Sequence, residues 1–386
     1  MSVATSADEK RVDLVFEGGG VKGIGLAGAF CHLDAEGYRP QRVAGTSAGA
    51  ITAALVAAGY GRDELEPLVL EELKYKKFED GAGGLIGAGL QLLRHKGLHP
   101  GNYFEGWMRE RLEATGFTRF GQLKMPPADG EDPAAGAQYR LQVIASDLTH
   151  GRMLVLPRDA REHLNVDPDE LEIARAVRMS MSIPLFFNPV VYQDPRNAND
   201  KHVIVDGGIL SNFPVWLFDC PPDHPPRWPT FGLLLVAPDD HDPLVAGPAQ
   251  ASQPGGRNSL FSFLRSIGRT MMEAHDRLYV EQANFARTIP IDTLGVSTTQ
   301  FSIDDDAHLK QRLFQSGRDA AAQFLETWDF DAYVKTFRDR PQSTRRERIV
   351  EAMADHAAAQ ASGLRSRRPA RSSSSATASS SPPTAP

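Results

Sequence analysis

The chain has 386 residues, a formal net charge of -7 and 41% hydrophobic residues, enough to bury a core of one large α/β domain or about two smaller ones. Charges of both signs are scattered along it, which gives no basic surface for nucleic acid. Two cysteines, Cys31 and Cys220, supply neither a disulfide framework nor a four-cysteine zinc site, and suit a reducing compartment.

The start, MSVATSADEKR, lacks the basic-then-apolar pattern of a secretory signal, and residues 1–10 read as a flexible leader to the fold. No run of about 20 apolar residues predicts a membrane-spanning helix. A cytoplasmic or membrane-peripheral location is expected, with signal-less export left open.

Val12–Phe16 predicts a short buried strand, followed by Gly18-Gly19-Gly20 and a helix in which Ile24, Ala27, Phe30 and Leu33 recur at helical spacing. Arg42–Ala44 predicts a second strand, and Ala48–Ala58 an alanine-rich buried helix. Ser47 therefore stands where a strand becomes a helix.

DGAGGLIGAGLQLLRHKGL, residues 80–98, is a glycine-flexible apolar stretch that reads either as a lid or lipid-facing segment, or as a helix packed on the core. Further strands are expected at Leu141–Ala145, Met153–Leu156, His202–Val205 and Gly232–Val236. Strands apolar on both faces, alternating with helices, predict a largely parallel sheet covered on both sides.

Residues 126–138 and 219–229 are proline-rich loops, 346–362 reads as a terminal helix, and 363–386 as a disordered Ser/Pro/Arg tail. The tail's arginines, Arg365, Arg367, Arg368 and Arg371, fit a solvated linker better than an anionic-membrane contact.

Gly45-Thr46-Ser47-Ala48-Gly49 fits a nucleophile elbow, in which small neighbours permit the tight turn that lifts a serine above a sheet. A glycine-rich bend is the plainer alternative in a chain with 34 glycines. Acyl transfer also needs oxyanion donors fixed in advance, and the Gly18-Gly19-Gly20 turn opening a helix offers backbone N–H groups for that purpose. Lys22 adds positive potential nearby.

The same turn matches the Gly18-X-Gly20-X-X-Gly23 dinucleotide fingerprint. That use wants an acid at the end of the second strand, where Ser47 follows instead; Asp34 and Glu36 fall too early. A phosphate loop fails because Lys22 precedes Gly23, not Ser or Thr.

A base for Ser47 is available in Asp206-Gly207-Gly208, at the end of the predicted strand His202–Val205. An aspartate at its ordinary pKa of about 3.9 is a poor base, so burial would have to raise it. An Asp-Gly turn closing the strand is the simpler reading of that residue alone. His150, His202 and His275 are the histidines that would turn the pair into a triad.

Taken in order, Gly18-Gly19-Gly20-Val21-Lys22-Gly23, Gly45-Thr46-Ser47-Ala48-Gly49 and Asp206-Gly207-Gly208 resemble the patatin-like phospholipase family, as does Met181–Pro189 before the aspartate strand. The resemblance implies a three-layer α/β/α fold with a mostly parallel central sheet and helices on both faces. It covers a catalytic domain at 11–345, with the motifs in 12–215 and a helical extension over 231–345.

It further implies hydrolysis of phospholipid or other acyl-ester lipids by a Ser47–Asp206 dyad, without metal or cofactor. Gly18, Gly19 and Gly20 form the oxyanion hole, supported by Lys22, Gly23, Gly45, Gly49, Gly207 and Gly208. Transient contact with a membrane surface follows from such substrates. A non-catalytic nucleotide- or lipid-binding module and an acyltransferase are the alternatives.

Overall fold

A computed structural model describes residues 10–80, 97–126, 138–194, 196–197, 200–220, 226–238 and 282–337. Most of the 80–98 segment, the loop around 127–137, His275, the 346–362 stretch and the tail lie outside the described residues.

The strands are β1 Lys10–Phe16, β2 Tyr38–Thr46, β3 Gly97–His99, β4 Leu141–Asp147, β5 Arg152–Leu156, β6 Leu185–Phe187, β7 Val190–Gln193, β8 Lys201–Asp206, β9 Thr230–Val236 and β10 Thr288–Asp292. The helices are α1 Gly23–Ala35, α2 Ala48–Ala57, α3 Arg62–Pro67, α4 Asn102–Thr115, α5 Ala160–Leu164, α6 Ile173–Ser180, α7 Gln282–Phe285, α8 Ala307–Thr327 and α9 Phe330–Phe337. The fold is α/β with a mostly parallel central sheet, as expected.

The sheet runs β10-β9-β1-β2-β4-β8-β7, with β5 also on β4, while β3 and β6 pair separately. From β10 to β4 every pairing is parallel. Beyond β4 the direction changes, and β5, β8 and β7 pair antiparallel. For β5 the physical reason is loop length. Only Leu148–Gly151 join β4 to β5, and a parallel crossover needs a dozen residues or more.

Strands β3, β6, β7 and β10 were not expected. The first three are short, and β10 falls in the region read as a helical extension.

Alternate residues of β1 and β2 feed different faces. Leu14, Phe16 and Val43 enter the main core with α1, α2, α4, α6 and α8, whereas Val15 and Ala44 join a small cluster with Phe218. α1 crosses α8 closely: a Cβ on Gly317 would collide with the Gly25 carbonyl, so glycine there lets the two helices meet. Cys31 is buried in α1, its thiol pushed up to about 12 chiefly by burial and then by Glu66, and no disulfide joins it to Cys220.

One detail of pairing positions the site. β2 pairs with Leu141–Ile144 of β4 and β8 with Ala145–Asp147, while β5 spans Val143–Asp147. β5 overlaps both partners, so β2 and β8 must share the other edge of β4. They meet there end to end, their carboxyl ends facing each other: Thr46 beside Ile144, and Asp206 beside Ala145.

Candidate active site

Phe16 of β1 lies opposite Gly45 of β2, so the turns that follow the two strands open side by side. After β2, Ser47 takes φ 54° and ψ −125° before α2 begins. A positive φ at a non-glycine residue costs on the order of 1–3 kcal/mol and persists only where the surroundings impose it. Here the Ser47 N–H donates to Ser180 Oγ at 2.8 Å, and the Ser47 carbonyl accepts from Ala50 N–H at 2.9 Å. Gly49 passes so close to the Phe16 and Glu17 carbonyls that any Cβ would collide with them, and Gly45 is pressed likewise against Gly49. The Gly-X-Ser-X-Gly spacing thus answers a packing demand on both sides of the serine.

Asp206 ends β8 and caps the short turn Gly207–Ile209, its Oδ1 accepting the Gly208 N–H at 2.8 Å. A Cβ on Gly207 would run into the Ile144 carbonyl, which is how the chain turns tightly against β4. Ser47 is 1% exposed and Asp206 is fully buried. Burial pushes the Asp206 carboxyl up to about 7 against the opposing pull of the Ser47 hydroxyl and of the Gly208 N–H. The serine and the aspartate are therefore neighbours.

The Ser47–Asp206 contact is not a tightly formed hydrogen bond. The Ser47 hydroxyl points instead at the Met181 sulfur, 3.7 Å away, and Asp206 Oδ2 meets no hydrogen-bond partner among the described residues. Catalytic hydrogen bonds are often loose before substrate binds.

The glycine turn lies beside Ser47, with the position a Gly18 Cβ would take 3.2 Å from the Ser47 Cβ. Gly18 departs from the expected donor set: its N–H donates to the Asn212 carbonyl at 3.1 Å. Among the described residues, the N–H groups of Gly19 and Gly20 meet no acceptor. Gly20 has φ 57° and a Cβ there would run into the Thr298 carbonyl, while a Cβ on Gly19 would meet the end of the Leu235 side chain. Gly23 packs against Ala48, and Lys22 is half-buried at the start of α1.

Sequence reasoning missed the residues that lock the two halves together. Ser180 Oγ holds the Ser47 N–H, and the Ser182 carbonyl accepts the Asp206 N–H at 2.9 Å. Beneath them Arg178 is buried and donates to Ser182 Oγ at 2.6 Å and to the Pro100 and Asn188 carbonyls at 2.7 and 2.8 Å. Burial brings its guanidinium down to about 10. Thr46 Oγ1 donates to the Ser211 carbonyl at 3.0 Å, a second tie between β2 and the segment after β8. Ser182 falls in the Met181–Pro189 stretch noted in the sequence, but no apolar pattern marks it or Ser180 as fully buried.

Of the candidate histidines, the two among the described residues do not join this site. His150 and His202 both contact Asp147, and neither hydrogen-bonds Ser47. Asp34, considered for a ribose, is paired with Arg39 at 2.6 Å.

The sequence pattern of the family described as Patatin-like phospholipase matches residues 14–219, and the chain belongs to this family. Patatin-like phospholipases act on lipids, and the chain is accordingly of a lipid-hydrolysing class. "Uncharacterized protein YqhO" of Bacillus subtilis (strain 168) is 36% identical over 327 residues, covering 83% of this chain and 99% of that protein. "Uncharacterized protein R571" of Acanthamoeba polyphaga mimivirus is 22% identical, covering 79% and 90%.

Among solved structures, VipD from Legionella pneumophila is similar with a TM-score of 0.46 and 20% identity, over 84% of this chain and 68% of that one. ExoU of Pseudomonas aeruginosa, solved with SpcU, gives 0.42 and 18%, over 83% of this chain and 53% of that one. No helix among the described residues is long and apolar enough to cross a membrane.

Proposed function

We propose that the protein is a serine hydrolase of lipid acyl esters, phospholipids or related lipids, acting through Ser47 and Asp206. The observation that carries the reading is a serine held in strained backbone beside a fully buried aspartate whose carboxyl is pushed up to about 7.

Ser47 Oγ attacks the ester carbonyl while its proton passes to Asp206 Oδ2, the oxygen without a hydrogen-bond partner among the described residues. The negative charge on the carbonyl oxygen is received by the Gly19 and Gly20 N–H groups and by the amino-terminal end of α2. Asp206 then returns the proton to the departing alkoxide, leaving an acyl-Ser47 ester. In the second half Asp206 takes a proton from water, the hydroxide attacks the acyl carbonyl, and Ser47 leaves as the alkoxide that is reprotonated. A base with a pKa near 7 suits both proton transfers at neutral pH.

Hydrolysis of a p-nitrophenyl acyl ester, together with labelling by a fluorophosphonate probe, tests the reading. Turnover and labelling at Ser47 are expected in the native chain. Turnover that persists in Ser47→Ala at the native rate refutes it.

A further inference from the structure

A second cluster of chemistry-bearing side chains lies at the opposite end of β8 from Asp206. Asp147 ends β4, His150 stands in the turn to β5, Asp200 precedes β8 and His202 is its second residue. Both histidines direct Nδ1 at the same oxygen, Asp147 Oδ2, each at 2.9 Å, with their rings 4.7 Å apart. Arg152 Nε donates to that oxygen at 3.4 Å, and Asp147 Oδ1 accepts the N–H groups of Thr149 and His150 at 3.0 and 3.4 Å. Asp147 is fully buried.

A carboxylate so surrounded only accepts, so each Nδ1 carries a proton, and a ring in its neutral form presents its lone pair at Nε2. His202 is 1% exposed, and its Nε2 meets no hydrogen-bond partner among the described residues. Facing it stands Asp200 Oδ1, 4.0 Å from His202 Nε2 and 3.5 Å from His150 Nε2. The longer separation is beyond hydrogen-bond range and the shorter at its limit. Tetrahedral ligands about 2.1 Å from zinc lie about 3.4 Å from one another, so the His150–Asp200 separation already suits a shared ion and binding would draw the partly exposed Asp200 closer to His202.

We propose that His150 Nε2, His202 Nε2 and Asp200 Oδ1 bind a divalent transition-metal ion, zinc foremost, with Asp147 as the outer carboxylate that fixes both rings. An outer carboxylate on the far nitrogen of a ligating histidine is the usual support of such sites. His150 and Asp200 are about one-third exposed, which leaves a water to complete the coordination. The ion would clip the β4–β5 turn to the start of β8, four residues of strand, or about 13 Å, from Asp206. Its place is in the fold, outside the ester chemistry.

The test uses the full chain, stripped with a chelator and titrated with Zn(II) by calorimetry and with Co(II) by visible absorption. One ion per chain is expected, with Co(II) giving the spectrum of a four-coordinate nitrogen/oxygen site. A hundredfold excess of Zn(II) over its Kd should raise Tm by about 4 °C. Asp200→Asn and His150→Gln, both partly exposed and tolerant of change, should each weaken Zn(II) binding by about tenfold or more. Absence of saturable one-to-one binding, or native affinity in either variant, overturns the site and leaves a hydrogen-bonded histidine–aspartate cluster in its place.

Discussion

The half of the sheet that ends in Ser47 and the half that ends in Asp206 are built by different rules. Strands β10, β9, β1 and β2 are parallel, and the two that lead into the site, β1 and β2, are each followed at once by a helix. Strands β5, β8 and β7 pair antiparallel with their neighbours, and a four-residue turn leads from β4 to β5. What the contrast teaches is that the site belongs to neither half. The ends of β2 and β8 meet head to head along β4, and Ser180 and Ser182 hold one residue from each side.

The largest effect comes from removing either side of the meeting point. Ser47→Ala and Asp206→Asn should each lower kcat/KM for a p-nitrophenyl ester by about a thousandfold or more, with circular dichroism unchanged. Both substitutions are nearly isosteric. If Asp206→Asn kept more than a tenth of the activity, the antiparallel half would contribute scaffold only and the base would lie elsewhere. Fluorophosphonate labelling of Ser47 should also slow in Asp206→Asn.

The next effect tests the lock between the halves. Ser180→Ala takes the acceptor from the Ser47 N–H and leaves a buried donor unpaired, a loss of about 1–3 kcal/mol. We expect kcat to fall by roughly ten- to a hundredfold with KM nearly constant, since the serine's placement changes while the lipid pocket does not. Ser180→Thr keeps the hydroxyl and should recover part of the rate. Equal losses in the two variants would mean that packing, not the hydrogen bond, is what Ser180 provides.

The parallel half was largely legible because its signals are local. β1 carries the apolar Leu14-Val15-Phe16 and β2 is marked only by Arg42–Ala44 near its end, while the glycines around Ser47 fall at fixed offsets in one pentapeptide. The antiparallel half was less so. The direction of β5 is set by the length of the Leu148–Gly151 connection, and the lock depends on Ser180 and Ser182, which no periodicity marks. Gly18 shows the same limit within a legible motif. The residue type was recognisable, but that its N–H is engaged by Asn212 depends on a contact 194 positions away. The Asp147 cluster likewise went unread, since Asp147 and His202 are 55 positions apart.

A smaller, graded effect follows from the protonation of Asp206. The proposed base accepts a proton only when ionised, so kcat/KM should fall about tenfold per pH unit below the apparent pKa near 7 and level off above it. A plateau reaching down to pH 5 would mean that Asp206 titrates as an ordinary surface carboxyl and that burial has not tuned it.

The smallest effect is on stability, and its sign is opposite to that of a salt-bridged carboxylate. Asp206 is raised from 3.8 to about 7, so between those values the folded chain keeps a proton that the unfolded chain has released. Stability therefore falls as pH rises through that window, by up to about 1.4 kcal/mol per pH unit, and is flat above it. The amide introduced by Asp206→Asn has no proton to lose in this range, while its oxygen can still accept the Gly208 N–H. The melting temperature of Asp206→Asn relative to the native chain should rise by roughly 4 °C between pH 5 and pH 8. A constant difference across that range would place the ionised aspartate in a site that already solvates it. The carboxylate would then have no excess basicity to offer Ser47, whatever its distance from the hydroxyl.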